Sequence, residues 1–206
     1  MIHPELAAKI LELDSVEELG NYRQKLLEEI VEFEPWETGY HLSQIPYTSK
    51  ETITSKNVLA LVEGADPELK DEVVVLTSHY DHVGIGEPDS TGDRIYNGAD
   101  DDGSGTIGLL NMAKAFSEAE KNGVKPKRSI LFLNVSAEEK GLLGSRYYSD
   151  HAVFPMEKTI ANLNTDMIGR IDSKHEKEGV EKYAYIIGAE LISSELDSVI
   201  KVANKQ

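Results

Sequence analysis

Residues 73–82 read Val-Val-Val-Leu-Thr-Ser-His-Tyr-Asp-His, an apolar run that passes directly into polar side chains. Segments of the same apolar kind alternate with helical segments, so we expect strands at 57–62, 73–77, 129–135, 160–164 and 183–187 and helices near 104–122 and 142–150. Because these strands are apolar continuously rather than alternately, they are typical of strands that are covered on both faces. The sequence therefore predicts an α/β fold with a mixed, mainly parallel sheet and helices on both faces.

The residues that precede this pattern differ from it in the spacing of their apolar side chains. Residues 4–35 carry apolar side chains at helical spacing, and Asp14-Ser15 followed by Glu17-Glu18 resembles a capping box, so two short helices are predicted. Residues 36–56 lack a clear period and predict a linker or an irregular edge strand. We therefore expect an N-terminal helical segment at 1–38 and an α/β domain at 39–206.

Composition narrows the range of partners. The 206 residues include 37 acidic and 21 basic side chains, a net charge of −16, which would repel nucleic acids and anionic membranes. No apolar run approaches the ~18–20 residues of a membrane span, and the first residues do not resemble a signal peptide. A soluble protein is expected. The absence of Cys means that any metal must be held by His and carboxylate side chains.

Ligand-type side chains follow three of the predicted strands and precede one helix. In parallel sheets, ligands gather beyond the carboxyl ends of the strands, so these residues are expected to meet at one edge. They are His79, Asp81 and His82 after the first of these strands, Asp100, Asp101 and Asp102 before the helix, Glu138 and Glu139 after the second strand, and Asp166 after the third.

Each of these residues also has a purely structural interpretation. A lone His after a strand is usually a loop residue, Asp102 could be the N-cap of the following helix, and paired Glu residues often begin a helix. These interpretations do not explain why all the residues follow strand ends, where their like charges would repel or force some carboxyls to take up protons. A cation removes that conflict. Nitrogen and oxygen ligands suit zinc, with manganese or cobalt as alternatives.

Residues 103–108, Gly-Ser-Gly-Thr-Ile-Gly, also match the dinucleotide-binding pattern G-x-G-x-x-G. That interpretation fails because three carboxylates, rather than a strand, come directly before the first glycine and would repel a pyrophosphate. The small residues more plausibly allow the helix to approach the cluster closely. P-loop, EF-hand and nucleophile-elbow patterns fail at required positions of the same segment.

Four ordered motifs resemble peptidase family M28, a family of zinc aminopeptidases. They are Ser-His-Tyr-Asp-His at 78–82, Ala-Asp-Asp-Asp-Gly-Ser-Gly at 99–105, Ala-Glu-Glu-Lys-Gly-Leu at 137–142 and Asn-Thr-Asp-Met-Ile-Gly at 164–169. The resemblance covers about residues 56–190 and implies the phosphorylase/hydrolase-like fold of zinc exopeptidases.

The resemblance also implies a role for each residue of the cluster. One zinc ion would be bound by His79, Asp166 and Asp101, and the second by Glu139 and the same bridging Asp101. Glu138 would be the general base, and Asp81 would orient His79. His82 has no ligand role in the family pattern.

In the family, the second zinc ion has a further His ligand well downstream. The sequence ends at Gln206 before such a residue, so we expect a chain truncated before the last strands and that His. The implied activity is removal of N-terminal residues from peptides that have a free N-terminus. The alternatives are a non-catalytic or single-metal domain and a glutaminyl-cyclase-like enzyme. An exposed sheet edge would favour a homodimer, and exported relatives favour a periplasmic or extracellular location.

Overall fold

The computed structural model describes residues 2–28, 37–41, 43, 45 and 51–205, and it contains two compact units, Met1–Thr52 and Ile53–Gln206. The first unit contains helices α1 (Pro4–Ile10) and α2 (Val16–Glu28), which confirms the two predicted helices. The capping signal is also present, because Ser15 Oγ accepts a hydrogen bond from the Glu18 amide at 3.1 Å. Residues 29–36, the end of the predicted helical segment, lie outside the described residues. The described part of 36–56 contains no helix or strand.

The second unit alternates strands and helices. Its strands are β1 (Val58–Val62), β2 (Val73–His79), β3 (Gly84–Ile85), β4 (Ile95–Tyr96), β5 (Ser129–Val135) and β6 (Thr159–Asn164). Its helices are α3 (Gly103–Lys121), α4 (Leu143–Asp150), α5 (Ser173–Glu178), α6 (Ala189–Ile192) and α7 (Ser194–Ala203), with a 3₁₀ turn at Met156–Lys158. None of the helices in the described ranges is both long enough and apolar enough to span a bilayer.

The main sheet has the strand order β1-β5-β2-β6. Strands β5, β2 and β6 run parallel, with Val75 beside Leu131 on one side and Asn162 on the other, whereas β1 is antiparallel to β5. This arrangement confirms the predicted mixed, mainly parallel sheet. Because three neighbouring strands run the same way, their carboxyl ends lie along one edge. A separate two-stranded hairpin pairs β3 with β4.

Both faces of the main sheet are covered, as predicted. On one face, the alternate residues Val73, Val75, Leu131, Leu133 and Val135 pack with Tyr148 of α4. On the other face, side chains of β1, β2 and β5 pack with Leu109, Met112, Ala113 and Phe116 of α3. Continuous apolar runs are needed because successive residues of β2 and β5 enter different cores.

The strand predicted at 183–187 is wrong. This segment follows α5 without strand geometry, and Ile186 and Ile187 are exposed. The hydroxyls of Tyr183 and Tyr185 instead donate to Oδ2 of Asp172 at 2.9 and 2.8 Å. Strand propensity describes how well side chains fit a pleated surface beside a partner strand. Here the tyrosines that raise the propensity are bound to the N-cap of α5.

Candidate metal centre

The carboxyl ends of β2, β5 and β6 and the start of α3 bring the predicted cluster together. His79 is the last residue of β2, the Glu138-Glu139 pair follows β5, and Asp166 follows β6. Asp101 lies two residues before α3. The predicted residues therefore share one edge of the sheet, where the parallel strand direction places them.

His79 is buried and directs Nε2 toward two carboxylates. Nε2 lies 3.2 Å from Oδ1 of Asp101 and 3.7 Å from Oδ2 of Asp166. On the other side of the ring, Nδ1 is 2.9 Å from the carbonyl oxygen of Asp81, a distance at which Nδ1–H donates to that carbonyl. A proton on Nδ1 leaves the lone pair of Nε2 free, as a metal ligand requires.

Asp101 and Asp102 have different surroundings although they are adjacent. Asp102 is 1% exposed, and its Oδ1 accepts from the amides of Gly105 (2.9 Å) and Met167 (3.3 Å). Its Oδ2 accepts from the His79 amide at 3.0 Å, so both oxygens are engaged and Asp102 acts as the N-cap of α3. Asp101 instead presents its two oxygens to two imidazole rings.

The second of these rings belongs to His82, to which the family resemblance gave no ligand role. Nδ1 of His82 lies 3.8 Å from Oδ2 of Asp101 and 2.8 Å from Oε1 of Glu139. The only sequence signal for this contact is the position of His82 just after a predicted strand. His82 follows His79 by three residues, in the loop at the strand end where the other ligand-type residues gather.

The Asp81 carboxylate contacts the backbone of the glutamate pair. Its Oδ1 accepts from the Glu138 amide at 3.0 Å and its Oδ2 from the Glu139 amide at 3.3 Å. The same Oδ1 is 3.7 Å from Nδ1 of His79, which is bound by the Asp81 carbonyl instead. Asp81 therefore joins the loop after β2 to the loop after β5, and its main chain holds the imidazole.

The close packing of α3 against the end of β6 completes the edge. A Cβ atom on Gly105 would overlap the Asp102 carboxylate and the carbonyl oxygen of Thr165, the residue before Asp166. Glycine at this position thus lets the start of α3 contact the strand end. The sequence had predicted such a role for the small residues of this segment.

Ala137 and Met167, which flank Glu138 and Asp166, have φ of 55° and 50°, a conformation that costs about 1–3 kcal/mol each.

The crowded charges shift the pKa values of the cluster. Burial raises the pKa of Glu138, and the charges of Glu139, Asp166 and Asp81 raise it further against the opposing effect of His79. Burial likewise raises the pKa of Asp166, and the charges of neighbouring carboxylates raise it further.

The pKa of His79 is shifted by opposing causes. Burial acts to lower this pKa, but the hydrogen bond to the Asp81 carbonyl and the surrounding carboxylates raise it overall. Carboxyl groups with raised pKa values beside an imidazole with a raised pKa are the behaviour of a negative cluster that favours positive charge. A bound cation would supply that charge.

The donor groups fit a divalent metal of the zinc class. Potential ligand atoms of His82, Asp101 and Glu139 lie within 4.8 Å of one another, and those of His79, Asp102 and Asp166 do the same. In the second group, Asp101 is the better third member, because its Oδ1 is 3.2 Å from Nε2 of His79 whereas both oxygens of Asp102 accept backbone hydrogen bonds. Imidazole nitrogens and carboxylate oxygens are the zinc ligands of catalytic sites.

Comparisons with known proteins found related peptidases. Residues 57–205 match the model of peptidase family M28. The chain is 38% identical over 122 residues to a probable leucine aminopeptidase 2 of Aspergillus oryzae, covering 59% of this chain and 21% of that protein. It is 33% identical over 117 residues to aminopeptidase YwaD of Bacillus subtilis, covering 56% and 22%. The chain therefore spans about a fifth of the length of these curated relatives. A solved structure of a zinc aminopeptidase from Bacillus subtilis is 31% identical, with 55% of this chain and 24% of that chain covered and a TM-score of 0.42.

Proposed function

The chain belongs to peptidase family M28, and from that membership we propose that it carries the catalytic groups of a di-zinc aminopeptidase. The proposed reaction is hydrolysis of the first peptide bond of a peptide that has a free N-terminus. The observation that carries the proposal is the placement of Asp101, whose two oxygens face two separate groups of ligand-type side chains. A carboxylate in this position is suited to bridge two metal ions.

In the proposed site, His79, Asp166 and Asp101 would hold one zinc ion. Glu139 and the same Asp101 would hold the second ion. Two ligand groups joined by one carboxylate favour this site over the single zinc of a glutaminyl cyclase and over a single-metal binding domain. When bound, zinc supplies Lewis acidity and lowers the pKa of a water ligand to about 7.

Glu138 is the proposed general base and acid. It accepts a proton from the attacking water and then donates this proton to the amine of the leaving group. Its pKa is raised by burial and by neighbouring carboxylates, which moves the group closer to the working pH and suits both transfers. Asp81 fixes the backbone of Glu138 through its amide, so the proton carrier is held on the same loop as the metal ligand Glu139.

The substrate follows from the charge of the edge. Five carboxylates (Asp81, Asp101, Glu138, Glu139 and Asp166) surround two imidazoles, and the chain as a whole carries −16. A protonated N-terminus is attracted to such a surface, whereas a blocked, neutral N-terminus loses that attraction. We therefore propose peptides with a free N-terminus as the substrate class.

The test is replacement of the proposed base, Glu138→Gln, which preserves shape and removes the proton acceptor. Hydrolysis of leucine p-nitroanilide and of a short peptide should fall by about 10²–10⁴-fold, the usual contribution of a general base. Zinc content, measured by mass spectrometry of the purified protein, should stay at the wild-type value. Glu157→Gln, in the 3₁₀ turn away from the cluster, is the matched control and should keep full activity. Full activity of Glu138→Gln with unchanged zinc would refute the assignment of the base.

A further inference from the structure

His82 and Glu139 are in close contact, but no hydrogen bond joins them. Nδ1 of His82 lies 2.8 Å from Oε1 of Glu139, and it is shielded from solvent. Nevertheless, this nitrogen has no hydrogen-bond partner among the residues that the structure describes. A buried ring nitrogen that makes no hydrogen bond is available as a metal ligand, and the neighbouring carboxylate oxygen is a second one.

The spacing of the atoms agrees with that interpretation. Ligand atoms at ~2.0–2.2 Å from a tetrahedral zinc ion lie about 3.3–3.6 Å apart. The distances from Nδ1 of His82 to Glu139 and Asp101 are 2.8 and 3.8 Å, one shorter and one longer than this range, so a small rotation of the side chains would bring the three ligand atoms to zinc spacing. The side chains of His82 and Glu139 are each 22% exposed and that of Asp101 is 38% exposed, so all three are partly buried.

The backbone holds the His82 ring in place. Gly98, at φ +65°, lies so close that an added Cβ would come within 2.6 Å of Cβ and 2.8 Å of Cγ of His82. From the other side, the preceding residue, Asp81, binds the amides of Glu138 and Glu139. The loops that carry His82 and Glu139 are therefore joined before any ion binds, and this arrangement reduces the entropy lost on binding.

We propose that Nδ1 of His82 is an imidazole ligand of the second zinc ion. Among the residues of this chain, His79, Asp166 and Asp101 would hold the first ion, and His82, Glu139 and Asp101 would hold the second. This inference rests on the proposed pair of zinc ions and assigns a residue that the family pattern leaves without a ligand role. The competing interpretation is that a protonated His82 forms an ion pair with Glu139 and binds no metal.

The experiment compares zinc binding by the wild type, His82→Ala and His151→Gln. The His151 ring stacks on Tyr147 in α4, so this variant controls for loss of an imidazole elsewhere. Titration calorimetry and metal analysis should give two zinc ions for the wild type and for His151→Gln. In His82→Ala the first ion should remain, and the affinity for the second ion should fall at least 10-fold. Free imidazole, which fits the space left by the ring, should restore part of that loss.

A second measurement needs no variant and thus does not depend on how His82→Ala folds. In ¹⁵N-histidine spectra of the wild-type chain, zinc should shift Nδ1 of His82 and Nε2 of His79. Two zinc ions bound equally tightly with and without His82, or an unshifted Nδ1, would overturn the inference while leaving the proposed function intact. Fewer than two zinc ions on the wild type would overturn both.

Discussion

Replacement of Gly105 by Ala tests how the edge that carries the candidate metal ligands is assembled. Gly105 is the third residue of α3, and an added Cβ would overlap the carboxylate of Asp102 and the main-chain carbonyl of Thr165. Neither group can move freely, because the carboxylate accepts backbone hydrogen bonds and the Thr165 amide donates to the Thr77 carbonyl at 2.9 Å. The helix start and the end of β6 must therefore separate.

The size of the effect follows from two opposing contributions. Overpacking a filled site costs about 1–3 kcal/mol, and the immobile neighbours here favour the upper end of that range. Alanine is the better helix former by about 0.5–1 kcal/mol, which offsets part of the cost. We expect a net loss of about 2 kcal/mol in the free energy of unfolding. Gly108→Ala is the matched control on the same helix, since its nearest neighbour is the flexible Cδ1 of Ile168 at 3.1 Å.

The assay is urea unfolding followed by circular dichroism, with EDTA present so that metal affinity does not enter the result. The midpoint of Gly105→Ala should fall well below that of the wild type, whereas the midpoint of Gly108→Ala should stay near it at an unchanged slope. The Gly105 variant should also bind zinc more weakly, because Asp101 and Asp166 are carried by the two elements that separate. Equal midpoints for the two variants would refute the close approach of α3 to β6.

Two further predictions concern metal and pH. Removal of zinc with EDTA should lower the melting temperature, and zinc at about 100 times its Kd should restore about 2.7 kcal/mol of stability per site; an unchanged melting temperature in scanning fluorimetry would contradict binding to the folded state. The pKa of Asp172 is held well below its ordinary value by hydrogen bonds from the His175 amide, Tyr185 and other neighbours. Since this folded-state pKa is lowered, the stabilisation is present above the unfolded pKa of about 3.9 and is lost as pH falls through the folded value. NMR titration of the Asp172 carboxyl should show the low midpoint, and Tyr183→Phe combined with Tyr185→Phe should raise it; an ordinary midpoint before substitution would contradict the structure.

The sequence was sufficient to predict most of the sheet. Residues 129–135 were predicted as a strand with the observed bounds, and 73–77 falls within β2, because their continuous apolar runs serve two cores at once. Residues 183–187, Tyr-Ala-Tyr-Ile-Ile, are also apolar and aromatic, yet they form no strand. Local propensity does not reveal whether a partner strand is present, and in this segment Asp172 binds the tyrosines.

The candidate site was predictable to the extent that strand direction determines it. Parallel strands carry His79, Glu139 and Asp166 to one edge, and a sequence pattern contains that information. The contact of His82 with Glu139 depends on the path of a loop and on the close approach of Gly98, which are determined by tertiary packing. The different roles of Asp101 and Asp102 were also not predictable from the sequence. They depend on backbone amides that donate to the Asp102 carboxylate and not to that of Asp101.

Strand β1 is antiparallel to its neighbour, and its direction has a consequence for evolution and engineering. The amino-terminal end of β1 lies at the same edge as the ligand-type residues, where Asn57 binds the Gly144 carbonyl and the Ser136 amide. Just upstream, the carbonyl of Lys56 accepts from the hydroxyl of Tyr80, the neighbour of His79. Length changes at residues 53–56, which precede β1, would therefore alter the surroundings of the ligand-type residues without altering any strand of the main sheet. Selection, or a designer who inserts a segment here, can vary this edge of the sheet independently of its core.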